Sequence, residues 1–161
     1  MQISFRWTDG RDPAFLRFYR ETEAYYNSLV GGEENRKAFI PYNLSESITD
    51  VLIASDGDIP VGCAGLKKYS AGDVEVKRVW VEPAYRGNRV ALRMMERLEA
   101  KAREKGFSRT ILQTRPVMED AVALYRRLGY HLIPDYPPYD KLEGVICLAK
   151  DLCPGQTECL H

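Results

Sequence analysis

Arg86, Gly87, Asn88 and Arg89 stand together between a Val-rich run, Val74 to Val81, and a helical pattern that begins at Val90. Residues of those types at that spacing can hold an anion. The first N–H groups of a helix lack intrahelical partners and carry partial positive charge, glycine lets the chain come close, and arginine adds a full cation. A phosphate is the expected occupant. Four cysteines are the other candidates for chemistry. Cys63 and Cys147 lie in apolar strand-like runs and read as small core residues, with no His placed beside Cys63 to activate it. Cys153, Cys159 and His161 fall in a tail, residues 153–161, that reads as disordered; no metal site is expected there.

The elements that must position the turn can be read from the pattern. ISFRW (Ile3 to Trp7) alternates as a strand does, and a helix follows from Pro13 to about Leu29, with Asp12 as its N-cap. Glu33 to Asn43 reads as a second helix or a loop. VLIAS (Val51 to Ser55) and PVGCAGLKKY (Pro60 to Tyr69) flank DGDI, which predicts a hairpin with Gly57 at positive φ. In the run before the turn, Val74 and Val76 share one parity whereas Val79 and Val81 share the other. Either both faces are buried or the strand bulges near Lys77 and Arg78; the bulge is favoured, and it would open a cleft.

Beyond the turn, Val90, Ala91, Met94, Met95, Leu98 and Ala102 mark the apolar face of a helix, and Glu99 and Arg103 are spaced as a surface i, i+4 pair. RTILQT (Arg109 to Thr114) is a strand, and MEDAVALYRRLG (Met118 to Gly129) is a helix with acids in its first turn and Arg126 and Arg127 in its last. Tyr130 to Pro134 and Val145 to Lys150 complete the strands. The chain of 161 residues is 45% hydrophobic, enough for one domain over residues 1–152. With 23 basic and 23 acidic residues there is no global field for nucleic acid or an anionic membrane. No apolar run is long enough to span a bilayer and the start lacks a signal-peptide core, so a cytoplasmic protein is expected.

These residues resemble the GNAT superfamily of acetyl-CoA-dependent N-acetyltransferases. Its signature at a strand-to-helix turn is Gln or Arg, two residues, Gly, one residue, then Gly or Ala. Here Arg86 and Ala91 fill the first and last places, Gly87 follows the common Arg-Gly opening, and Arg89 replaces the central glycine. EPAYRG before the turn and ALYRRLGY (Ala123 to Tyr130) are also family-like, and the order of elements agrees from about Ile3 to Lys150. The resemblance implies an α/β fold of the α+β kind: a mixed, mostly antiparallel sheet of about seven strands, helices on both faces, and a splayed, bulged central strand. It implies acetyl-CoA as cosubstrate. The contacts would be Val79, Trp80 and Val81 on the strand, Arg86, Gly87, Asn88, Arg89, Val90 and Ala91 at the turn, and Met118, Ala121, Leu124 and Tyr125 on the later helix. Arg89 fits the turn at negative φ and would add a phosphate partner. Met118 stands where relatives often carry an Asn.

The same resemblance implies roles. Glu75 occupies the place of a general base, Tyr125 that of the acid that protonates the leaving thiolate, and a strand N–H near Val81 would polarise the carbonyl. Direct attack by a primary amine is expected, rather than a covalent route through Cys63. The pocket wall for the amine, a small molecule or a peptide, would be drawn from Tyr25, Tyr26, Tyr42, Tyr136 and Tyr139. A homodimer is in keeping with the family. The competing reading is a non-catalytic acyl-CoA-binding module on the same fold; a dinucleotide-binding domain is disfavoured by the lack of a complete GxGxxG.

Overall fold

The computed structural model describes residues 1–30 and 47–152. Glu33 to Asn43, with Tyr42, and the cysteines and histidine of residues 153–161 lie outside them. The strands are β1 (Ile3–Thr8), β2 (Asp50–Asp56), β3 (Ile59–Lys68), β4 (Asp73–Val81), β5 (Arg109–Thr114), β6 (His131–Ile133) and β7 (Ile146–Asp151). They join in the order β1-β2-β3-β4-β5-β7-β6. The helices are α1 (Pro13–Val30), α2 (Val90–Glu104) and α3 (Glu119–Arg127). This is the mixed α/β architecture expected. Two compact units divide it: Met1–Lys67 with Lys77–Leu98, and Lys68–Val76 with Glu99–His161.

In the first unit β1 pairs antiparallel with β2, and β2 with β3. The β2–β3 hairpin closes as read: Asp56 faces Ile59 and Gly57 sits at φ 59°, a conformation nearly free of penalty only for glycine. α1 begins where Asp12 Oδ1 accepts the Ala14 N–H at 2.9 Å, an N-cap reinforced by Arg6, whose Nη1 reaches Asp12 Oδ2 at 2.8 Å. The helix packs Phe15 and Phe18 against Val51, Ile53, Cys63 and Trp80. Each such side chain fully buried contributes roughly 1.5–3 kcal/mol.

In β4 the residues from Val74 to Arg78 are all buried. Arg78 takes φ 56°, a left-handed break in an otherwise extended strand. Burial of both faces from Val74 to Arg78 resolves the parity conflict, and the break falls where the pattern had placed a bulge. Arg78 extends beneath α1, where its guanidinium pairs with Glu23 and lies 4.1 Å from the Tyr19 ring centroid.

In the second unit β4 pairs parallel with β5 through Asp73, Val74 and Glu75, while β7 pairs antiparallel with β5 and with β6. α3 spans Glu119–Arg127, shorter than Met118 to Gly129, because Met118 takes φ −87° and ψ 67° and serves as its N-cap. Glu99 corrects another expectation. It is 3% exposed and binds Lys150 Nζ at 2.7 Å, so it serves the interior rather than a surface pair with Arg103. Among the described residues no helix is long and apolar enough to cross a membrane.

Candidate functional site

The turn after β4 is built by short-range bonds. Glu82 N–H donates to Val61 O at 2.8 Å, and Pro83–Tyr85 form one 3-10 turn. Tyr85 is anchored through its hydroxyl to Asp56 Oδ2 at 2.8 Å, and Asn88 Nδ2 reaches Tyr85 O at 3.1 Å. Gly87 has φ 82°, and a Cβ placed there would meet no heavy atom within 4 Å. Arg89 O accepts the Arg93 N–H at 3.0 Å, the first rung of α2, so the N–H groups just before Arg93 have no partner inside the helix. A bare, positively polarised chain segment with open space at Gly87 fits a phosphate group.

Two arginines of the turn differ from expectation. Arg89 sits at φ 63°, not at negative φ. The helix start needs a left-handed residue at the place where the family's pattern has glycine, and the arginine carries the penalty, about 1–2 kcal/mol. Arg86 is drawn back onto the strand: its Nε donates to Val81 O at 2.9 Å, and its guanidinium lies 4.8 Å from the Trp80 ring and 5.9 Å from Tyr25. It braces the strand end as well as adding charge. Trp80 and Tyr25 meet edge to face at 5.5 Å, and Tyr26 is 6.0 Å from Tyr25.

The end of β4 also carries residues that the sequence did not single out. Glu82 lies beside Glu21 of α1, and Arg17 reaches both carboxylates, Glu21 Oε1 at 3.9 Å and Glu82 Oε1 at 3.7 Å. Burial, and then the proximity of Glu21, pushes the Glu82 carboxyl up. Cys63 is fully buried and donates from Sγ to Arg78 O at 3.3 Å; burial pushes its thiol far up, with the Arg78 charge opposing. It has no thiolate to offer as a nucleophile.

In the second unit, Glu75 is 4% exposed and its Oε2 accepts the Tyr136 hydroxyl at 2.7 Å. Burial and then the Glu75 charge drive the Tyr136 phenol well above its ordinary range, which keeps it a proton donor. Its ring meets Tyr69 at 5.0 Å and Tyr139 at 5.4 Å, both edge to face. Tyr69, unmarked by any motif, is held by a 2.7 Å bond from its hydroxyl to Pro137 O. Cys147, on β7, is also raised by burial, to about 12. Tyr125 is 7% exposed on α3, its ring 5.8 Å from Tyr130, whose hydroxyl shares a 2.8 Å bond with Thr110 Oγ1. Ala121 and Leu124 on the same helix are half-buried. Met118 makes no side-chain cap.

The expected residues therefore fall into two groups. Val79 to Ala91, with Tyr25 and Tyr26, belong to the first unit; Glu75, Met118, Ala121, Leu124, Tyr125, Tyr136 and Tyr139 belong to the second. Tyr42 lies outside the described residues. Among those residues, no cluster of three His, Cys, Asp or Glu could hold a metal ion.

Comparison with known proteins adds three kinds of match. The profile of the acetyltransferase (GNAT) family matches residues 14–130. A protein of Azospirillum brasilense named IAA acetyltransferase is 30% identical over 127 residues, 78% of this chain and 82% of its own. Among solved structures, the PaiA N-acetyltransferase of Thermoplasma acidophilum in complex with coenzyme A superposes with a TM-score of 0.73 at 16% identity, covering 94% of this chain and 99% of that one. An acetyltransferase of Streptococcus agalactiae gives 0.72 at 19% identity, with coverage of 94% and 99%. At these identities the structures speak for the fold.

Proposed function

The chain belongs to the acetyltransferase (GNAT) family, and we propose that it moves an acetyl group from acetyl-CoA to a primary amine by direct attack in a ternary complex. Acyl transfer is the activity that membership carries, and an acyl-CoA is its cosubstrate. The observation that supports the reading best is the turn at Arg86 to Arg89. Its Gly87 is open, its helix N–H groups lack intrahelical partners, and Arg89 keeps its cation there at a cost in backbone strain.

The thioester supplies an activated acyl group, and the chain's residues do the rest. In the first unit the turn's backbone N–H groups at Gly87, Asn88 and Arg89, with the Arg89 cation, bind the pyrophosphate while Arg86 braces the strand end, and Val79, Trp80, Val81, Val90 and Ala91 lie along the rest of the cosubstrate. Met118, Ala121 and Leu124 are the candidate contacts of the second unit. The N–H near Val81 polarises the carbonyl. A lysine-type amine has a pKa of about 10.4 and arrives protonated, so Glu75 takes its proton, directly or through water, and Tyr125 protonates the departing thiolate. Tyr136 holds the Glu75 carboxylate at 2.7 Å. The burial of Cys63 speaks against a covalent acyl-enzyme on that thiol. The aromatic candidates for the acceptor wall are Tyr25 and Tyr26 in the first unit and Tyr136 and Tyr139 in the second.

Free thiol released from acetyl-CoA, followed over amino acids, polyamines, aminoglycosides and peptide N-termini, tests this. Release that depends on an amine is expected; none across the panel, with acetyl-CoA still bound, would favour a binding module instead.

A further inference from the structure

A base must come within hydrogen-bond reach of the proton it takes, directly or through one intermediary. Glu75 is buried, 4% exposed, and its Oε2 already accepts the Tyr136 hydroxyl at 2.7 Å. Tyr136 is the more exposed of the two, half-buried rather than buried. A phenol oxygen can accept a hydrogen bond as well as donate one, and among the described residues nothing donates to the Tyr136 oxygen. Its ring is fixed by two neighbours. Tyr69, tied to Pro137 O at 2.7 Å, meets it edge to face at 5.0 Å, and buried Tyr139 meets it at 5.4 Å. The other titratable or charged groups acting on it are the neutral Cys147 thiol and Arg109, whose guanidinium is matched by Asp73 at 3.0 and 3.1 Å. Burial and then the Glu75 charge disfavour a phenolate there. A proton can therefore reach that oxygen only as another leaves it.

We propose that Tyr136 is the residue that touches the acceptor amine, and that it passes the amine's proton to Glu75 in one concerted relay; the inference rests on the acyl-transfer reading above, with Glu75 as its base. The ammonium N–H donates to the phenol oxygen. As its proton moves to that oxygen, the Tyr136 proton moves to Glu75 Oε2. One N–H and one O–H bond break and two O–H bonds form, so Tyr136 ends neutral and Glu75 ends as the acid. The electron pair left on nitrogen attacks the thioester carbon, and nothing is oxidised or reduced. The Tyr69 and Tyr139 contacts keep the phenol aimed at the carboxylate.

Single-turnover thiol release from acetyl-CoA, with the fastest acceptor of the amine panel, tests the relay. In wild type the rate is expected to fall along a bowed curve as D2O replaces H2O, because two protons move together; a straight line overturns the proposal without any variant. Tyr136→Phe is expected to lose about a hundredfold in rate, as Glu75→Gln does, and the double variant no more than either alone, since the two residues act as one unit. Acetyl-CoA affinity by calorimetry reports that each variant is folded. A Tyr136→Phe rate within about threefold of wild type, well short of a general-base loss, or a double variant whose losses multiply, means that Glu75 takes the proton without Tyr136 and overturns the relay. No release with any amine is a separate result: it overturns the acyl-transfer reading itself, and the relay with it.

Discussion

The Tyr136 hydroxyl donates a 2.7 Å hydrogen bond to Oε2 of Glu75, across 61 residues of sequence. A charge-assisted bond to a carboxylate 4% exposed contributes about 1.5–3 kcal/mol. Tyr136→Phe keeps the ring against Tyr69 and Tyr139 and loses that bond. Urea denaturation is expected to show a stability loss of that size, and thiol release a lower kcat. An unchanged midpoint and unchanged turnover would deny Tyr136 its positioning role.

Arg89→Gly separates strain from charge. At φ 63° the arginine costs about 1–2 kcal/mol that glycine does not, offset in part by the extra freedom of glycine in the unfolded chain. The variant is expected to be no less stable than wild type yet to bind acetyl-CoA about tenfold more weakly by calorimetry, a change of about 1.4 kcal/mol. Tighter binding would mean that the guanidinium obstructs the phosphate.

Tyr125→Phe removes the proposed acid and keeps the ring in its place on α3. A fall in kcat of about a hundredfold, with acetyl-CoA affinity held, is the expected result, in the range usual for a general acid. Full turnover with 1-aminobutane as acceptor would assign the proton to another donor.

Cys63→Ala tests the route. A thiol fully buried and pushed up in this way has no nucleophilic role, so acetyl transfer is expected to persist within about threefold of wild type once the modest cavity cost is accounted for. Loss of activity in a variant with a native melting profile would reopen a covalent mechanism.

Glu82 predicts a pH dependence of stability. Its folded-state carboxyl is raised, by burial and then by Glu21, so the folded protein holds the proton more tightly than the unfolded chain. That contribution is complete below the ordinary glutamate range and is lost as pH rises through the folded-state value. Glu82→Gln is therefore expected to unfold at higher urea than wild type at pH 7, the gap closing toward pH 4. A gap that widens on acidification would show the opposite sign.

Local interactions alone determined much of this protein. The Asp12 cap is written in its own side chain, the Gly57 turn in the freedom of glycine, and the inner face of α2 in the spacing of Val90, Met94, Met95, Leu98 and Ala102, each at most 1% exposed. The strand–turn–helix around Gly87 and the family it belongs to were legible for the same reason: period and motif act between near neighbours. Tertiary structure decided where polar side chains found partners. Glu75 meets Tyr136, Glu99 turns inward to Lys150, Arg86 folds back on Trp80, and Glu82 meets Glu21. Each pairing joins segments whose register is set by strand pairing and helix packing, which composition does not encode. The left-handed Arg89 is of the same kind. At φ 63° its backbone conformation is one that residue type alone disfavours, so the sequence pattern gave no sign of it.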